Sequence, residues 1–139
     1  MEREEISNEV QTGIKNALGK EYHFHDNFNF KMNDDFFFKL ALSTRNSKDI
    51  SVVYWFLKSM NKNNMILNTN NKYLYDKAQM SKPSFYKLIN RLEENHLVIR
   101  LEKKIYMVNP NVVINHRKTL NKDRPELLAA WGYHELRLK

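Results

Sequence analysis

Residues 80–109 read MSKPSFYKLINRLEENHLVIRLEKKIYMVN, and this stretch decides the fold. Ser81 suits a helix N-cap, because its hydroxyl can accept from a free backbone N–H in the first turn. Pro83 sits just inside the start, where a missing N–H costs little. Phe85, Leu88, Ile89 and Leu92 then recur at helical spacing and form one apolar stripe. The other face carries Lys82, Ser84, Tyr86, Lys87, Asn90 and Arg91. Asn95-His96 ends the helix, since both residue types tolerate left-handed backbone better than most. Leu97, Ile99 and Leu101 then alternate with Val98, Arg100 and Glu102. After Glu102-Lys103-Lys104 a second β-rich run returns from Ile105 to Val108. Asn109-Pro110 closes it, because proline interrupts a central strand.

A half-basic amphipathic helix joined directly to a short hairpin with a basic tip is the layout of a recognition helix and its wing. The order of residues resembles the winged helix-turn-helix of MarR-type regulators. The shared features are Ser84 at the helix start, the Leu88-Ile89 pair, Arg91-Leu92-Glu93, and the run from Leu97 to Arg100. His96 stands where that pattern has glycine.

Outward from this unit, the chain has 139 residues, enough for one domain with a core. Its formal net charge of +7 favours a polyanionic partner through counterion release and steering. There is no cysteine, which excludes disulfides, thiol catalysis and Cys-ligated metal. No apolar run approaches the roughly 18–20 residues of a membrane span, and MEREEISNE has no secretory pattern. A cytoplasmic protein is expected, with no membrane partner. The many asparagines and lysines are assigned no chemistry.

Residues 3–18 read as a helix with Ile6, Val10, Ile14 and Leu18 on one stripe. Residues 22–32 switch to period two, with Tyr22, Phe24, Phe28, Phe30 and Met32 on one side. Asn33-Asp34-Asp35 caps a helix through about Ser43. Ser47 is placed as the cap of the next helix, Lys48 to about Asn61, with Ile50, Val53, Tyr54, Leu57 and Met60 inward. Met65–Leu67 reads as a short strand and Lys72–Gln79 as a short helix. Asn111–Asn115 fits either an extended or a helical reading. Asp123-Arg124-Pro125-Glu126 starts a helix with Leu127, Leu128 and Trp131 on its apolar side, ending near Gly132. Trp55 and the phenylalanines fit a core better than a base-stacking platform, and Trp131 suits either. The expected fold is mainly α with a small antiparallel β wing, an α+β winged helix-turn-helix with helical extensions at both ends. Residues 1–21 form the N-terminal extension, 22–116 the DNA-binding domain and 117–139 a basic, helical tail.

The expected function is sequence-specific binding of double-stranded DNA. Lys87 or Arg91 would read guanine and Asn90 adenine. Ser84 and Tyr86 would fix register on phosphate, with Lys82 beside them. Lys103 and Lys104 would touch the backbone or minor groove, and Arg100 completes the basic set on the wing. The competing reading of this face is plain solvation, since Glu93 and Glu94 interrupt its charge.

His23-x-His25 could present two imidazoles on one side of a strand, but no acidic or His cluster completes a metal site. Asp34-Asp35 reads as a helix-capping pair. No phosphate loop, nucleophile elbow or paired-carboxylate signature appears, so no enzyme, cofactor or metal is expected. Two-fold DNA sites are common for such units, so a homodimer is expected.

Three further phrases carry a closer resemblance. Phe36-Phe37-Phe38-Lys39-Leu40-Ala41-Leu42 leads into the first helix. Tyr106-Met107-Val108-Asn109-Pro110 follows the wing. Arg117 and Lys118 open a basic tail. Together they resemble RepL-type replication proteins of bacterial plasmids over residues 28–118, leaving the N-terminal helix and 124–138 without a counterpart. That resemblance implies origin binding in plasmid replication or maintenance, with recruitment of host replication proteins and no catalysis. A MarR-like repressor bound to a promoter palindrome is the alternative with the same DNA chemistry. A winged helix that binds only protein is the third.

Overall fold

The computed structural model describes residues 30–115 and 121–138. The expected helix at 3–18, the strand residues before Phe30, His23-x-His25, and the basic pair Arg117 and Lys118 lie outside the described residues. The elements are β1 (Phe30–Met32), α1 (Asp34–Ser43), α2 (Ser47–Ser59), β2 (Met65–Ile66), α3 (Asn71–Lys77) and α4 (Lys82–Glu94). After these come β3 (Val98–Glu102), β4 (Ile105–Val108), β5 (Val113–Asn115), a 3-10 turn (Asn121–Asp123) and α5 (Arg124–Leu138). Helix, short strand, helix, helix, hairpin is the expected winged-helix-like α+β order.

The local starts and stops have identifiable causes. Asn33, Asn46 and Asn70 cap α1, α2 and α3, their side chains accepting from Phe36, Asp49 and Tyr73 backbone N–H groups. Asn46 takes the role that the sequence pattern gives to Ser47, which is the first helical residue. Ser81 caps α4 as expected, accepting from Ser84 N–H, with Pro83 in the first turn.

Helix α4 ends in a Schellman motif. His96 N–H donates to Glu93 C=O, Leu97 N–H donates to Leu92 C=O, and His96 has φ 57°. Gln79, also at φ 57°, closes α3 in the same way through Gln79 N–H to Asp76 and Met80 N–H to Tyr75.

The main core lies under α4. Phe85, Leu88, Ile89 and Leu92 are all buried against Phe36, Leu40, Phe56, Leu57, Val98 and Tyr106. Each such side chain is worth roughly 1.5–3 kcal/mol of transfer free energy. The three-stranded sheet has the order β2-β4-β3, all antiparallel. A register shift between Arg100 and Glu102 places a bulge at Leu101, just before the two-residue tip. A second sheet pairs β1 with β5, Phe30 opposite Asn115 and Met32 opposite Val113. This settles Val113–Asn115 as extended, with 111 and 112 in the turn before it.

Helix α5 runs through Gly132 to Leu138 rather than stopping near the glycine. Trp131, only 2% exposed, packs on Ile99 and Met107 from the sheet face opposite α4, with Met65, Leu101 and Ala130 at the margin. The 124–138 segment is thus a layer of the fold, and Trp131 is core. It also explains why Val98 and Ile99 are both buried: the base of the hairpin is covered on both faces. Asn64 stitches the two sheets together at φ 58°. Its side-chain amide donates to Val108 and Val113 carbonyls at 3.1 and 2.8 Å. Among the described residues no helix is long and apolar enough to cross a membrane.

Candidate nucleic-acid interface

The burial of one α4 stripe turns the opposite face outward. Lys82, Ser84, Lys87 and Asn90 are exposed along it, and Lys103 and Lys104 are exposed at the hairpin tip. Ser84 also accepts from the Ser81 hydroxyl at 2.9 Å, so it is partly engaged in its own cap.

The helix start and the hairpin tip meet across a groove of about 460 Å³. Its walls include Lys82 and Tyr86 from α4, Lys103 and Lys104 from the tip, and Lys72 and Tyr75 from α3. The loop before α3 supplies Asn68, Thr69 and Asn70. Four lysines around one opening create a concentrated positive field, which favours an anionic backbone. Lys72 also pairs with Asp76 one turn on, at 2.9 Å. The tip is fixed to this loop: Thr69 N–H donates to Lys104 C=O at 2.9 Å.

Tyr86 and Arg100 occupy the seam between helix and wing, where both are half-buried. Asn71 holds the seam from α3. Its amide nitrogen donates to the Tyr86 hydroxyl at 3.2 Å, and its oxygen accepts from the Tyr106 hydroxyl at 3.3 Å. The Arg100 guanidinium lies 5.7 Å from the Tyr86 ring centroid. Burial pushes the Glu93 carboxyl pKa up, with the Arg100 charge pulling the other way. Tyr106, fully buried, has its phenol pKa raised by the same desolvation.

Arg91 stands apart from the exposed set. Its Nε donates to Ser43 C=O at 2.7 Å and its Nη2 to Asp49 Oδ2 at 3.0 Å. The guanidinium is therefore committed to the corner between α1 and α2, and it is not grouped with Lys82, Lys87 and Asn90. Six of the nine residues expected from the sequence thus share the outward surface, Tyr86 and Arg100 line the seam behind it, and Arg91 faces inward.

Residues 6–137 match the family model for the Firmicute plasmid replication protein, RepL. The chain belongs to the RepL family. It is accordingly a plasmid replication protein, as the wing and its Met-Val-Asn-Pro phrase suggested. The match runs past both ends of the resemblance at 28–118, so the N-terminal stretch and α5 belong to the RepL pattern. Neither the curated proteins nor the solved structures contain a match to this RepL chain.

Residues 68–72 join the surface without having been expected there. Their signal is present in Asn68-Thr69-Asn70-Asn71-Lys72, a polar, turn-forming run directly before a short helix.

Proposed function

We propose that this RepL protein binds duplex DNA at its plasmid's replication origin, with α4 in the major groove and the hairpin tip on the adjacent backbone. The observation that carries this reading is the convergence of Lys82, Lys103, Lys104 and Lys72 on one groove beside the outward face of α4. Lys87 and Asn90 sit further along that face, where side chains reach base edges in such a docking. Phosphate contacts from the groove set register, and the helix supplies the sequence preference.

Two copies on a two-fold site would double the contact surface. The protein then marks the origin in the cytoplasm and recruits host replication proteins, with no catalysis of its own.

Selection of bound duplexes from a random pool, mapped onto the plasmid, tests this. Repeated sites clustered in the origin are expected. A single palindrome over a promoter would instead indicate a repressor. No enrichment at moderate salt would leave protein binding as the use of the wing.

A further inference from the structure

Helix α5 is apolar on two sides. Leu127 and Trp131 are buried on its inner side, where Trp131 lies on the sheet. Ala129, Tyr133 and Leu136 recur at helical spacing on the outward side, and all three are exposed. Leu136 and Tyr133 are the two most exposed large apolar side chains among the described residues, at 75% and 59%. They stand one turn apart, so they form one patch. A helix that is apolar on opposite sides is ordinarily covered on both. Gly132 borders the patch. Glycine weakens a helix, yet a Cβ there would meet nothing within 4 Å, so no contact inside the chain requires its small size.

The flanking charges indicate what covers the patch. Glu126 and Arg137 are exposed at opposite ends of the same outward side, about three turns apart. Turned end for end, this side matches itself. An antiparallel pair centred near Gly132 sets Leu136 opposite Ala129 and Arg137 opposite Glu126, each contact occurring twice. The two Tyr133 rings meet near the axis. A parallel pair would instead oppose Glu126 to Glu126 and Arg137 to Arg137. Self-matching of this kind is what a two-fold contact between identical chains requires.

We infer that a second copy of this chain packs on the outward side of α5, antiparallel about Gly132. The pairing leaves the α4 surface free, because α5 covers the sheet face opposite α4. One helix face falls well short of the roughly 800 Å² per partner that a stable complex buries. The pair is therefore weak in solution and becomes effective when neighbouring DNA sites hold two copies close together. This last step rests on the DNA-binding reading; the pairing itself does not.

The chain contains no cysteine, so single introduced cysteines report the contact. Under mild oxidation Tyr133→Cys should cross-link to itself. A mixture of Glu126→Cys and Arg137→Cys should give the mixed dimer in preference to either homodimer. Leu67→Cys, exposed away from α5, controls for random collision. Equal cross-linking of Tyr133→Cys and Leu67→Cys would overturn the inference, and so would the absence of any preference for the mixed dimer.

The second readout is binding to duplexes that carry two selected sites, with the spacing varied over one helical turn. At one spacing wild type should fill both sites cooperatively. Glu126→Lys or Arg137→Glu alone should lower that cooperativity about fivefold, since each exposed ion pair contributes little but occurs twice. The two substitutions together should restore it. Both residues are exposed, so affinity for a single site should not change. Filling by wild type without cooperativity at every spacing, or a double variant no better than the single ones, would overturn the inference while leaving DNA binding intact. Failure of wild type to bind any duplex would remove the DNA-binding reading alone, and the cross-linking would then decide the pairing.

Discussion

Asp49 and Arg91 form an ion pair of 3.0 Å between the start of α2 and the last turns of α4, with the Asp49 side chain only 5% exposed. Asp49 also accepts from Arg45 N–H at 2.8 Å. The pair locks α4 to the α1–α2 corner. Removing one partner strands the other charge in a buried setting, which typically costs about 3–5 kcal/mol. Arg91→Ala and Asp49→Ala should therefore each lower the urea midpoint sharply. Arg91→Ala should leave discrimination between DNA sequences unchanged at temperatures where it is folded. A variant with normal stability and relaxed discrimination would return Arg91 to the base-reading set.

Lys103 and Lys104 are exposed at the hairpin tip, so their replacement should not disturb the core. Lys103→Ala with Lys104→Ala is expected to weaken binding to all duplexes alike. The log–log salt slope should fall by about 0.9 for each phosphate that the variant no longer neutralises. Weakening confined to the selected sequence would show instead that the tip reads bases.

Glu93 sits where burial raises its pKa, opposed by Arg100. The folded chain then binds the proton more tightly than the unfolded chain. Any contribution of Glu93 to stability is present below its unfolded pKa and is lost as pH rises through the raised folded value. Glu93→Gln resembles the neutral state throughout. It should gain stability relative to wild type as pH rises from about 4 to about 7. A difference independent of pH in paired urea titrations would exclude this assignment.

Trp131 covers Ile99 and Met107 and is almost wholly buried. Trp131→Ala should cost about 3–5 kcal/mol, the usual range for emptying a large aromatic site. A loss under about 1 kcal/mol in denaturant unfolding would mean that α5 does not dock on the sheet in solution.

Thr69→Val should not destabilise the fold. Removing an unpartnered buried hydroxyl is expected to leave the thermal midpoint unchanged or to raise it. A clear fall in the midpoint would point to a structural partner for the hydroxyl.

The α4–hairpin unit is legible in the sequence because each of its signals is local. Ser81 and Pro83 mark the start, the Phe85–Leu92 stripe repeats at one period, and His96 adopts the left-handed turn expected of it. Arg91 departs from its expected place for a physical reason. It lies on the polar side of the helix, and only tertiary contact with Asp49 and Ser43 turns its long side chain inward.

The asparagines carry no chemistry as a residue count, yet they cap three helices and occupy two left-handed turns, at Asn64 and Asn68. Their role depends on position within a loop, which composition does not contain. Gly132 reads as a stop because glycine weakens helices. At about 1 kcal/mol the penalty is smaller than the burial of Trp131 and Leu127 nearby in the same helix. The two-sided burial of the hairpin is not inferable without knowing that α5 returns to it.

The pairing of β1 with β5 joins residues separated by most of the described chain, and Trp131 is needed to cover the sheet. This has a consequence for biosynthesis. Helices α1 to α4 can form as they leave the ribosome, but β1 must wait for β5, and the outer sheet face for α5. Long-range closures of this kind are slow compared with helix formation. The nascent chain therefore presents Ile99 and Met107 to solvent until α5 has emerged, which is the interval in which chaperone capture or self-association competes with folding.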